Sequence, residues 1–271
     1  MESSSNSLLI ITNLIAGIFN IVFPLILGWW IIKKKGTSWK LFGIGVLTFI
    51  GSQIFHLPAV SALTQAFSTG LLPNVSIGFA PYFNAIVLGL LAGIFEETAR
   101  WIGYKLLKEK GDSLGAALTL GAGHGGVEAI IIGGIVLASL ISMLALQSSD
   151  AALSALPSGQ AELARQQMQA YWATAWYMPL ASAVERISAL GLHISLSVMV
   201  WLAISFRKPI WFWLAVLYHA VVDGLAVLAM SFFVNVWLIE AGLILVSFSM
   251  LYVIITTAKR MDRERENLVG A

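Results

Sequence analysis

Cysteine is absent from the 271 residues, which excludes disulfides, thiolate metal sites and a cysteine nucleophile. Charge is scarce as well. Only 11% of the residues are charged and 58% are hydrophobic, against about 25% charged in an ordinary soluble domain. Such a chain takes the lipid bilayer as its solvent. A net charge of +2 is too small to argue for nucleic acid as a partner. The opening MESSSNS lacks the basic region of a signal peptide, and the apolar run behind it is too long for a signal core. No internal repeat or separate soluble domain is apparent, so residues 1–271 read as a single integral membrane domain. Catalysis, if present, falls to histidine, carboxylate or hydroxyl groups.

What the chain has in abundance is apolar length. A span needs about 20 apolar residues, and seven segments meet that measure: 8–32, 41–63, 79–104, 114–146, 179–206, 209–233 and 236–258. The expected fold is an all-α polytopic transmembrane helical bundle of about seven spans. Cytoplasmic loops retain Lys and Arg, and the basic residues cluster after alternate spans: Lys33, Lys34, Lys35 and Lys40; Lys105, Lys108 and Lys110; Arg207 and Lys208; Lys259, Arg260, Arg263 and Arg265. The intervening loops carry only Arg165. This predicts the N-terminus outside and the C-terminus in the cytoplasm.

One connection is long. Residues 147–178 open on the polar SSDAALSALPSG and turn into QAELARQQMQAYWATAWYM. The second part reads as an amphipathic helix in an extracytoplasmic loop, lying at the interface with Tyr171, Trp172, Trp176 and Tyr177 at headgroup level.

The polar residues inside the spans set the functional question. FEETARW, residues 95–101, puts Glu96, Glu97 and Arg100 together in one apolar segment, at about 2.5–3.5 kcal/mol for each charge at a helix centre. All four histidines, His56, His124, His193 and His219, also fall inside predicted spans. At about 1.5 Å rise per residue, Glu97, His124, His219 and His193 lie roughly 12, 15, 15 and 20 Å from the cytoplasmic ends of their spans. Four helices therefore offer polar groups at a similar depth. Arg100 follows Glu96 by four residues and Glu97 by three, so its guanidinium can neutralise one carboxylate and leave the other reactive.

GHGGVEA and YHAVVDG repeat the four-residue offset, in His124 with Glu128 and His219 with Asp223. A carboxylate so placed sets an imidazole's tautomer, directly or through a neighbouring helix. Gly121 and Gly125 make a small-xxx-small surface for close helix approach. His56, next to Pro58 and without a nearby acid, reads as an interhelical hydrogen-bond partner; Glu185 and Arg186 read as an ion pair, and Glu240 as reaching water.

Carboxylates beside imidazoles in a partly dry cavity are equipped to activate water for hydrolysis. Two forms stay open. His124, His193 and His219 hold zinc or another divalent metal with Glu96 or Glu97 as base, or a glutamate with two histidines and Asp223 holds the water without a metal. The helical zinc signature of two histidines four apart around a glutamate is absent.

EETAR and HAVVD resemble the paired-glutamate and His-xxx-Asp/Asn motifs of the CAAX-protease and bacteriocin-processing superfamily, with its PrsW-like relatives. Taken together, FEETARW, GHGGVEA, His193 and YHAVVDG resemble more closely the YhfC family of intramembrane metalloproteases, over about residues 5 to 260. The resemblance implies hydrolysis of a membrane-anchored peptide or protein substrate in a bacterial cytoplasmic membrane. Glu96 or Glu97 would activate water, and His124, His193, His219 and Asp223 would position it or a metal. Two other functions use the same buried cluster: a proton-coupled transporter and a noncatalytic membrane scaffold.

Overall fold

A computed structural model of the chain describes residues 2–148, 153 and 157–269. Most of the polar opening of the 147–178 connection lies outside the described residues. The architecture is all-helical. Eight helices have described bounds: α1 Glu2–Lys35, α2 Trp39–Ser68, α3 Ala80–Leu107, α4 Leu114–Ser148, α5 Ser158–Trp172, α6 Met178–Ser205, α7 Ile210–Phe232 and α8 Val236–Val269, with a 3-10 turn at Lys108–Gly111 after α3.

Each of the seven predicted segments lies on a helix. Six of these helices are long and apolar enough to cross a membrane: Asn6–Lys35, Trp39–Ser68, Leu114–Ser148, Met178–Ser205, Ile210–Phe232 and Val236–Arg265. The protein is a multi-pass membrane protein. Composition keeps α3 out of that set, because its 28 residues include Glu96, Glu97, Arg100 and Lys105.

The chain divides into two compact units, one of Met1–Phe23 with Ala129–Arg186, the other of Pro24–Glu128 with Ile187–Ala271. In the first unit, glycines bring backbones together: a Cβ on Gly133 would stand 2.7 Å from the Gly17 carbonyl oxygen. Thr12 donates its hydroxyl to the Trp176 carbonyl at 2.6 Å. Arg186 bonds its neighbour Glu185 at 2.5 Å, as the sequence predicts. Helix α5 also belongs to this unit.

The second unit holds every candidate site residue. Its core forms around the second half of α6, where residues 190–203 are buried on all faces and Leu196, Val198, Val200, Trp201 and Leu202 are at most 1% exposed. A helix apolar all round belongs inside other helices. Helices α2 and α3 run antiparallel along their length. Gly103 meets Thr48, the His56 ring stacks on Phe95 at 5.9 Å, and Phe67 meets Phe83 edge-on at 5.5 Å.

Helix α3 is also pressed against α7. A Cβ on Gly89 would lie 2.3 Å from the Ala220 carbonyl oxygen, and one on Gly93 would lie 2.6 Å from that of Val216. This small-xxx-small face lets the two backbones touch, and with the helices this close Glu97, one turn beyond Gly93, reaches His219.

At the lysine-rich end of this unit Arg265 reaches Asp112 at 3.2 Å. Burial pushes the Asp112 carboxyl up, but hydrogen bonds from Ser205 and Arg265 outweigh it and hold the group below its ordinary value.

Candidate functional site

Four neighbouring helices supply the partners of the charged residues on α3. Tyr104 donates to Ser197, and the Ser197 hydroxyl donates to the Ala117 carbonyl at 3.0 Å, tying α3, α6 and α4 together just beyond the cluster. Glycines of α4 then admit α6: a Cβ on Gly125 would stand 2.8 Å from the His193 ring, and one on Gly121 would stand 2.7 Å from the Ile194 Cα. The close approach expected of Gly121 and Gly125 is thus made, with His193 as its object.

Glu96, Glu97, Arg100, His124, His193 and His219 gather in one buried cluster, none more than 6% exposed. The three imidazoles form a row, with ring centroids 5.1 Å apart from His124 to His193 and 5.6 Å from His193 to His219. Asp223 and Glu128 stand at its margin, with side chains 38% and 24% exposed. These two carboxylates are the exposed members of the set.

Hydrogen bonding assigns the ring protons. A guanidinium can only donate, so His193 accepts from Arg100 at Nδ1, 2.6 Å away, and its Nε2–H donates to Glu128 at 2.6 Å. Glu128 therefore serves the imidazole of a neighbouring helix rather than His124 on its own. Arg100 also pairs with Glu97, whose Oε1 accepts the Nδ1–H of His219 at 2.7 Å. The Nε2 of His219 is then turned toward Asp223 at 3.4 Å and Glu96 at 3.9 Å.

Helix α2 completes the set with residues that spacing on the other helices does not reveal. The Thr48 hydroxyl donates to the Gly45 carbonyl at 2.7 Å, so its oxygen accepts from His124 Nδ1 at 2.9 Å. That leaves the lone pair of His124 Nε2 facing the Glu96 carboxylate at 3.1 Å. Two acceptors facing each other at this distance call for a proton or a cation between them. Gln53 donates to the other Glu96 oxygen at 3.3 Å.

The sequence did carry a signal for these residues. Thr48, Ser52, Gln53 and His56 form a polar stripe at helical spacing in an apolar segment. His56 departs from expectation. Among the described residues neither of its ring nitrogens has a hydrogen-bond partner, and the ring packs on Phe95 instead. Glu240 also departs, being 6% exposed rather than open to water.

The donor atoms that converge most closely among the described residues come from Glu96, His193 and His219, within 4.8 Å of one another. The sequence predicts three imidazoles; in the structure a carboxylate replaces one of them. Two imidazoles and a carboxylate suit zinc or another divalent first-row metal. Ligands about 2.1 Å from a tetrahedral ion stand roughly 3.5 Å apart, so the trio needs a closure of about 1 Å.

The proton assignments point to a variant of that set. Both nitrogens of His193 are engaged, by Arg100 and Glu128, whereas the Nε2 of His124 faces Glu96 with its lone pair free. The residues fit a metal through Glu96 and His219, with His193 the third donor by distance and His124 the third donor whose lone pair is free.

Replacing Thr48 by Val tests the tautomer assignment. It leaves the His124 Nδ1–H without its acceptor, and loss of such an orienting partner lowers metal affinity or activity by about 10- to 100-fold. Thr48→Ser is expected to restore both. Zinc titration of the two variants measures this, and an unchanged affinity in Thr48→Val would remove Thr48 from the site.

A cavity of about 670 Å³ opens between α2 and α3. Leu47, Phe55, Ile94 and Ile102 line its walls, and Thr48 and Ser52 reach it from the cluster side. Ser52 accepts from the amide of Gln53, which also holds Glu96. The fissure is thus two hydrogen bonds from the Glu96 carboxylate.

Comparison with known proteins places these features in context. Residues 19–244 match the family model described as YhfC intramembrane metalloprotease. The chain is 30% identical over 223 residues to a Bacillus subtilis (strain 168) protein named uncharacterized membrane protein YhfC, covering 79% of this chain and 82% of that one. No solved structure matches.

Proposed function

Because the chain belongs to the YhfC intramembrane metalloprotease family, we propose that it hydrolyses peptide bonds of membrane-anchored proteins, with Glu96 as the group that activates water. One observation carries the reading: the Glu96 carboxylate lies 3.1 and 3.9 Å from the Nε2 atoms of His124 and His219, which come from two other helices. In this scheme Glu96 takes a proton from water, the water oxygen bonds to the scissile carbonyl carbon, and the C–N bond breaks as the proton passes to the leaving amine. His219, His124 and the Glu96 oxygen that faces them are the groups that would hold a divalent metal, which leaves the other Glu96 oxygen, beside Gln53, to take the proton. When bound there, the metal supplies Lewis-acid polarisation of the carbonyl.

Glu97 and Arg100 have a different role. They neutralise each other, and Glu97 fixes His219 as Arg100 fixes His193. Glu128 orients His193 from the more exposed margin of the cluster, and Asp223 stands beside the His219 Nε2.

We take α3 as the seventh span. Its antiparallel register with α2 at Thr48, His56 and Phe67 supports this, because a helix lying along a spanning helix shares its depth. The lysine-bearing ends then face the cytoplasm of a bacterial cell membrane. Helix α5 is the helix that lies along a membrane interface, and the fissure between α2 and α3 is the lateral route by which an extended substrate segment reaches Glu96.

The test is cleavage of a library of membrane-anchored peptides by the purified full chain in proteoliposomes, with products identified by mass spectrometry. Cleavage that stops with a chelator and returns with zinc is the expected outcome. Failure to cut any peptide in the metal-loaded state would overturn the proposal.

A further inference from the structure

A second cavity, of about 300 Å³, lies in the same compact unit among α1, α4, α6 and α8. It is separate from the fissure between α2 and α3, and its lining changes character along its length. On α1, Leu27, Trp30 and Ile31 are followed one turn later by Lys34 and Lys35; on α8, Leu251 and Ile255 are followed by Lys259. Each set falls on a single helix face, at offsets of three, four, seven and eight residues. Both walls therefore pass from hydrocarbon to ammonium over about 10–12 Å of helix rise. Leu114, Leu118 and Ile194 close the apolar part.

Among the described residues no acidic side chain lines the cavity. None of the three lysines forms an ion pair among the described residues. The Lys34 ammonium stands 4.6 Å above the Trp30 ring, which holds it at the mouth. The adjacent cation on α8 is already matched, since Arg260 pairs with Glu264 at 2.9 Å.

We propose that this cavity is a binding site for an anionic phospholipid, taking an acyl chain against the aliphatic wall and the phosphate between Lys34, Lys35 and Lys259. Charge complementarity selects that occupant. A free phosphate would meet the lysines but gain nothing from the apolar wall, and a zwitterionic lipid would fill the wall but carry a choline or ethanolamine cation toward the lysines. Basic cavities between membrane helices collect anionic headgroups for this reason. The proposal does not depend on the chain being a protease.

Native mass spectrometry of the full chain, released from nanodiscs of mixed composition, reads the preference directly. Phosphatidylglycerol is expected to be retained about tenfold or more over phosphatidylcholine, with a preference that weakens as salt rises. The triple variant Lys34→Gln, Lys35→Gln, Lys259→Gln is expected to lose it, while Arg260→Gln, a charge change on the exposed side of α8, keeps it. All three lysines are solvent-exposed, so an unchanged melting temperature in zwitterionic detergent serves as the check on folding. Retained phosphatidylglycerol preference in the triple variant overturns the site. So does displacement of the lipid by inorganic phosphate alone at millimolar concentration.

Discussion

Glu96→Gln is expected to lose about 10²- to 10⁴-fold in turnover, the range a positioned general base supplies, while its melting temperature stays at or above that of the parent chain. The two halves of this expectation come from the same geometry. A carboxylamide has nearly the shape of the carboxylate, and its NH₂ can donate to the His124 Nε2 lone pair that Glu96 faces at 3.1 Å. Its oxygen can still accept from Gln53. The fold therefore keeps its hydrogen bonds and loses a charge that was costly to bury. The chemistry fares differently, because an amide neither takes a proton from water nor offers a strong anionic ligand to a metal. Cleavage assays, zinc content by elemental analysis and thermal unfolding in detergent give the three readouts. A Glu96→Gln protein that cuts at the parent rate would end the assignment of Glu96 as base, and one that unfolds early would make Glu96 a structural residue.

How much of this could be read from the sequence depends on the distance over which each rule acts. Hydropathy is summed over some twenty residues, so the helices were legible to within a few positions at most ends. Residues 236–258 are the main exception, since α8 continues to Val269. Its last turns carry Lys259, Arg260, Arg263 and Arg265; apolarity stops before the helix does. The gathering of Glu96, Glu97, His124, His193 and His219 was legible because charges in lipid need partners and depth along a helix follows from counting residues.

Partner choice was not legible in the same way. Glu128 sits one turn from His124, yet it bonds His193, because Gly121 and Gly125 draw α6 onto α4 and bring the His193 ring against that face. A same-helix offset carries no information about which neighbour comes closest. Thr48 and Gln53 were missed for a related reason: a hydroxyl or amide in a span is commonly satisfied by its own helix, and only the position of α4 and α3 gives these two a second partner. Glu240 was read as wet from its nearness to a helix start, a rule that ignores what packs over it.

The open choice between the two glutamates leads to the second large effect. Glu97→Ala is expected to destabilise the protein by about 3–5 kcal/mol, the range for removing one partner of a buried ion pair. Arg100 is fully buried, and Glu97 is the carboxylate it pairs with directly; Glu96 is 3.8 Å from the same guanidinium. Without Glu97 the arginine keeps a full charge in a dry site, and the His219 Nδ1–H loses its acceptor as well. Arg100→Met strands Glu97 in the same way and frees the Nδ1 of His193. Each single variant should therefore melt earlier by on the order of 10 °C.

The double variant Glu97→Leu, Arg100→Met removes both charges together. Its loss is expected to fall well short of the sum of the two single losses, because replacing a whole buried pair by apolar groups is often nearly neutral. Activity should not return with stability, since His219 and His193 are no longer held by Glu97 and Arg100. Thermal unfolding of the four proteins in one detergent completes the cycle. Additive losses would mean that Glu97 and Arg100 act independently, and the division of labour between the two glutamates would then have to be reversed or abandoned.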